Sequence, residues 1–237
     1  MSKPCSTLPN PVESKANFVS ALEQIGTEVD HQPLRSSALA RIMRETFHGS
    51  GAWDWRMAYD LMQAAAIQVL LRGEGASGDI DAAKLLASRL LTETRRSEQQ
   101  IRLQQFSTPL PFAALVLQAT AIRKGETVLE PSAGTGALAA FAARASATLV
   151  LNEIDPFRQR LLRAVFGGEV TGDDGEHIDV THGQSRSDKY NTYYVILQLR
   201  VTIFGPQPHI PVHSPGLHML APFHTWVQWT TALRVGL

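Results

Sequence analysis

Residues 128–156 read VLEPSAGTGALAAFAARASATLVLNEIDP. An apolar run ends in an acid, Glu130, and a glycine-rich turn follows. An alanine-rich stretch comes next, then a second apolar run ending in another acid, Glu153. Strand, turn, helix and strand in this order make a right-handed βαβ unit with parallel strands. In such a turn glycines let the backbone approach a ligand, and the helix N-terminus offers N–H groups. Gly134 and Gly136 are those glycines, Thr135 and Ala137 open the helix, and Ala139 is small enough for close helix–strand packing. Glu153 stands about twenty residues beyond Gly134, the separation at which a carboxylate takes the hydroxyls of a ribose.

Two ligands compete for this turn. GTGALA satisfies G-x-G-x-x-A, which predicts NAD or FAD and hence an oxidoreductase. Glu130 argues otherwise. At the end of the first strand it repels a pyrophosphate, whereas it attracts the cationic methionine end of S-adenosylmethionine (SAM). No Lys, Tyr or Cys arrangement in register with the turn supplies oxidoreductase chemistry. The plainer alternative is a glycine turn without a ligand, with Glu130 paired locally.

The pattern extends on both sides. TVLEP, TLVLNE and EVTGD read as three strands alternating with helices TGALAAFAARA and PFRQRLLRAVF, half of a doubly wound domain over residues 106–180. Asp155 is a helix cap rather than a ligand. Upstream, residues 15–105 form a helical N-terminal region, preceded by a Pro/Ser-rich leader at 1–14 that is expected to be disordered. Its segments are KANFVSALEQIGTEV, PLRSSALARIMRETF, WDWRMAYDLMQAAAIQVLLRG and a long polar helix, DAAKLLASRLLTETRRSEQQIRLQQ, capped by Asp79 or Asp81. Trp53 and Trp55 are read as packing anchors rather than a stacking platform.

After residue 180 the composition changes. Residues 181–237 hold one acid, Asp188, of the chain's 22, but five of its eight histidines and three of its four tyrosines. Either a different module begins here or the reading frame changed near Val180. His209, His213 and His218 do not make a metal site: Pro211 and Pro215 forbid one helix presenting them, and no acid or cysteine joins them. The 22 basic and 22 acidic residues cancel, so bulk charge points to no nucleic-acid or membrane partner. A single cysteine, Cys5, makes no disulfide framework. With no signal peptide and no apolar stretch of membrane-spanning length, the expected location is the cytoplasm.

LEPSAGTG resembles motif I of class I SAM-dependent methyltransferases, and LNEIDP resembles their ribose-binding motif. QQFSTPLP resembles the Q-F-x-T-P segment that precedes the fold in adenine-N6 DNA methyltransferases. With the helical N-terminus, these are similar to the methylase part of bacterial strawberry-notch-like methyltransferase/helicase proteins, over about residues 30–180. The resemblance implies a Rossmann-like SAM-dependent methyltransferase fold, incomplete here, with DNA as substrate and a helicase-like domain or protein as partner. It implies that Thr108 and Pro109 hold the methionine carboxylate and that Glu130 contacts the ammonium. Pro131, Ala133, Gly134 and Gly136 would line the methionine and ribose, and Glu153 would take the ribose hydroxyls. Ile154 would flank the adenine, and Asp174, or Asp173 one step earlier, would accept from its amino group.

The resemblance breaks at the catalytic step. Adenine methylases hold the target amine with N/D-P-P-F/Y, whose ring stacks on a flipped base. No such motif follows Asp174; FGPQP at 204–208 and APFH at 221–224 lack the Asn or Asp. No catalytic residue is assigned, and weak or absent turnover is expected. Three readings stand: a methyltransferase with a divergent catalytic loop, a non-enzymatic SAM-binding fragment, and an NAD-dependent oxidoreductase.

Overall fold

The computed structural model describes residues 11–48, 53–73, 79–93, 107–175, 192–195, 200–203, 225–228 and 233–236. These form a mixed α/β arrangement of seven helices and seven strands. The helices are α1 (Pro11–His31), α2 (Ser36–Thr46), α3 (Trp55–Arg72), α4 (Ile80–Arg89), α5 (Leu110–Thr120), α6 (Ala137–Arg144) and α7 (Pro156–Phe166). The strands are β1 (Thr127–Glu130), β2 (Thr148–Asn152), β3 (Val170–Thr171), β4 (Thr192–Val195), β5 (Arg200–Ile203), β6 (Thr225–Gln228) and β7 (Leu233–Gly236).

The helices follow the apolar spacing, and their ends follow capping chemistry. Asp54 caps α3 by accepting from the Met57 N–H, and Asp79, not Asp81, caps α4 by accepting from Asp81 and Ala82. Helix α1 begins at Pro11, where a missing N–H costs nothing. The long polar helix expected over 81–105 is shorter: α4 stops at Arg89, and Leu90 is extended. Tertiary contacts end it. The Leu34 N–H takes the Arg89 carbonyl, the Arg89 guanidinium reaches the carbonyls of Val29 and Asp30, and the Leu91 N–H faces the Met62 sulfur. The remainder of that segment, from residue 94, lies outside the described residues, as do residues 1–10.

The sheet runs β3-β2-β1-β4-β7, with β7 antiparallel to β4 and the other pairs parallel. The strand order reverses direction at β1. Strands β5 and β6 form a separate antiparallel pair. The main core takes Phe18, Leu22 and Ile25 from α1, Ile42 and Met43 from α2, and Leu61, Met62 and Ile67 from α3. It continues without a break into Val128, Phe141 and Leu161. Trp53 and Trp55 pack against it half-buried, with ring centroids 5.8 Å apart. A second, smaller cluster of Ala133, Ala139, Leu151, Leu162 and Val170 lies under the glycine turn. No helix among the described residues is long and apolar enough to cross a membrane.

Candidate ligand site at the strand ends

The register of β1 on β2 brings Glu130 level with Leu151, so the turns after both strands open at the same sheet edge. Glu130 is 1% exposed and is among the largest fully buried side chains. The Ser132 N–H favours its charged form, yet neither carboxylate oxygen completes a hydrogen bond of good geometry. Burial therefore dominates, and with help from the Glu153 charge it pushes the Glu130 carboxyl up to about 8. A buried carboxyl displaced in this way beside a glycine loop is a candidate functional group.

The two glycines have different work. Gly134 has φ +58°, and a Cβ built there meets nothing within 4 Å, so its free face opens on space a ligand can use. Gly136 has φ +96°, and a Cβ there would lie 2.5 Å from Cε2 of Phe166 and 3.0 Å from Cδ2 of Leu162. Its bareness lets α6 and α7 approach. Helix α6 starts at Ala137 with Gly136 as its cap, so Thr135 belongs to the loop rather than to the helix. Ala139 is fully buried against the smaller cluster, as close packing requires.

Glu153 is 4% exposed. Its Oε2 accepts from the Gly134 N–H at 2.7 Å and its Oε1 from the Asp155 N–H at 2.9 Å. One carboxylate thus joins the glycine loop to the start of α7. Burial raises its pKa, against the pull of those two amides and of Arg158. Asp155 caps α7 through the Phe157 and Arg158 N–H groups and pairs with Arg56, whose hydrogen bond and charge outweigh burial and hold its carboxyl below the usual range.

Asn152, which the sequence reading left unassigned, organises the floor. Its Nδ2 donates to the carbonyls of Pro131 at 2.9 Å and Asp173 at 2.8 Å. Its Oδ1 accepts from the Thr171 hydroxyl at 2.7 Å and the Asp173 N–H at 2.9 Å. All four hydrogen-bonding positions of the amide are used. The signal available in the sequence was a polar residue ending an otherwise apolar strand, TLVLN. The segment it holds presses on the first turn: a Cβ at Gly175 would be 2.9 Å from the Pro131 carbonyl and the Ser132 hydroxyl.

Glu130, Pro131, Ala133, Gly134, Gly136 and Glu153 therefore gather at one edge, and Asp173 reaches them through Asn152. Asp174 and Asp173 are exposed, and Ile154 is 54% exposed beside Glu153. Thr108 is half-buried, and Pro109 is exposed and caps α5, which packs on α6. Among the described residues no hydrogen bond joins Thr108 to the glycine loop, and no group of His, Cys, Asp and Glu could hold a metal. His209, His213 and His218 lie outside the described residues. No family model, no curated protein and no solved structure matches the chain.

Proposed function

We propose that this chain binds SAM at the ends of β1 and β2, in a Rossmann-like methyltransferase fold of the adenine-N6 DNA methylase type, with weak or absent methyl transfer. The observation that carries the reading is Glu130: a buried carboxyl without a completed hydrogen bond, next to a glycine whose free face is open. A neutral ligand leaves that carboxyl uncompensated; a cationic one ionises it. The parallel order β3-β2-β1-β4, reversing at β1, supports the same edge, since ligands of open α/β sheets bind at such a reversal.

The residues fit the group. Glu130 would face the ammonium and Gly134 would lie along the methionine. Glu153 has a second lone pair on each oxygen for ribose hydroxyls, beyond those its two amide partners use. Ile154 offers an apolar face to the adenine, and Asp173 or Asp174 an acceptor for its amino group. SAM, when bound, supplies an electrophilic methyl. No N/D-P-P-F/Y is present to orient a target amine, so a non-enzymatic role in binding SAM is the form this reading takes if turnover is absent.

Calorimetric titration of the full chain with SAM, with NAD as control, tests it. At pH 7, repetition in two buffers of different ionisation enthalpy should show proton release as Glu130 ionises beside the cation. Glu130→Gln should abolish that release. Saturable NAD binding without SAM binding would overturn the proposal in favour of a dinucleotide site. Rapid methyl transfer from labelled SAM to DNA would overturn the expected low turnover.

A further inference from the structure

Helix α3 lies in the helical N-terminal region, yet it carries a polar stripe aimed at the ligand turns. Arg56, Asp60 and Gln63 stand at successive four- and three-residue steps, which puts them on one face. Arg56 pairs with Asp155, the residue that caps α7 just after Glu153. Asp60 is held by Arg158 in the first turn of the same helix. The Gln63 carbonyl oxygen accepts from the Thr135 hydroxyl at 2.9 Å, inside the glycine loop, while its amide nitrogen donates to Glu93. Thr135 is 2% exposed, so that hydroxyl is committed to this partner. At the end of α3, the carbonyls of Leu70 and of the capping Gly73 accept from Arg144 at the end of α6.

We infer that α3 is a positioning element of the ligand site: Gln63 sets the glycine loop through Thr135, and Arg56 sets the Glu153–Asp155 turn through Asp155. Neither residue touches the ligand. The two ligand turns belong to different βα units, and α3 is a rigid rod that fixes both. Loops held this way are ordered before ligand arrives, which lowers the entropic cost of binding. The meaning of those turns rests on the SAM reading, but the positioning does not, so the two are tested separately.

The test is peptide-level hydrogen exchange of the ligand-free full chain. Gln63→Met keeps the apolar stem and removes the acceptor. It should speed exchange over 133–138 about five- to tenfold, as expected for one neutral hydrogen bond. Thr135→Val should do the same, the double variant no more than either, and Thr135→Ser should restore the native rate. Arg56→Met should speed exchange over 153–158 well beyond any effect on 133–138, which Glu153 links to that turn. That selectivity is what general destabilisation does not produce. Unchanged exchange over 133–138 in both Gln63→Met and Thr135→Val would overturn the inference, as would additive effects in the double variant. If Gln63→Met does not fold, Thr135→Val against Thr135→Ser decides alone. Calorimetry with SAM on the same proteins then asks about the ligand: because affinity scales with the fraction of closed loop, a Gln63→Met protein whose loop is still mostly closed should bind SAM within about twofold of wild type. Loosening without SAM binding by any variant, wild type included, removes the SAM reading and leaves the positioning intact.

Discussion

Arg158 grips Asp60 through two nitrogens, with Nη2 2.8 Å from Oδ1 and Nε 3.2 and 3.1 Å from the two carboxylate oxygens, and both side chains are at most 3% exposed. The pair ties α3 to α7 across the boundary between the helical region and the sheet. The neighbouring charges of Asp60, Glu153 and Asp155 hold the Arg158 guanidinium in its charged form despite burial. Removing Asp60 leaves a buried guanidinium without the carboxylate that takes its hydrogen bonds. Asp60→Leu should therefore cost about 3–5 kcal/mol, whereas Asp60→Leu with Arg158→Met should cost much less than the sum of the two singles. Urea denaturation of the four proteins measures the cycle.

Glu130 gives a pH signature to stability itself. Its pKa is raised from 4.5 to about 8 on folding. Between those values the folded state holds a proton that the unfolded state has released. This contribution to stability is fully present below pH 4.5, declines as pH rises, and is lost by about pH 8, with a slope of at most about 1.4 kcal/mol per pH unit. Glu130→Gln removes the titration and should gain on the wild type steadily from pH 5 to pH 8. Parallel stability profiles of the two proteins over that range would show that the carboxyl is already ionised in the folded state.

Local chemistry made α7 legible in full. Asp155 as cap, Pro156 at the first position and Gly167 at φ +72° just past the end bound it without help from the rest of the chain. The glycine turn and the two acids were legible for the same reason, since their spacing is local. Helix α4 was not. Nothing in LLTETRRSEQQ stops a helix; the capture of Arg89, Leu91 and Glu93 by α1 and α3 does. Gln63 and Thr135 are 72 residues apart, and no periodicity reports such a contact. Glu153 was legible as an acid just past the second strand, but its grip on two backbone amides depends on how the turns fold together.

The two glycines should separate folding from binding. Gly136→Ala drives a Cβ into the Phe166 ring at a left-handed position, so α6 and α7 must part and the protein should lose several kcal/mol. Gly134→Ala meets no atom and should cost only roughly 1–2 kcal/mol of backbone strain. Its methyl nevertheless occupies the space opposite the loop. The expected Gly134→Ala protein is folded by circular dichroism and binds SAM at least tenfold more weakly. Unimpaired SAM binding would move the ligand away from that face.

Asn152 is the residue for which a near-isosteric change should be worse than truncation. Its Nδ2 faces two carbonyl oxygens, Pro131 and Asp173, and its Oδ1 faces two donors. Asn152→Ala leaves those four groups to find other partners, at a cost of roughly 2–3 kcal/mol. Asn152→Asp keeps the acceptor side but turns an ionised oxygen on the two carbonyls, with the Glu153 carboxylate next in the chain. Repulsion should make it the less stable variant at pH 7. Protonation restores one donor, so the Asp variant should regain stability as pH falls toward 5 while the Ala variant shows no such gain relative to wild type. Hydrogen exchange over 171–175 should follow the same order, fastest in Asn152→Asp at neutral pH, because the amide is what holds that segment across the Pro131–Ser132 turn. If Asn152→Ala is the less stable of the two at pH 7, the amide's donor side does not set the fit of these turns, and the packing of the Asn152 stem does.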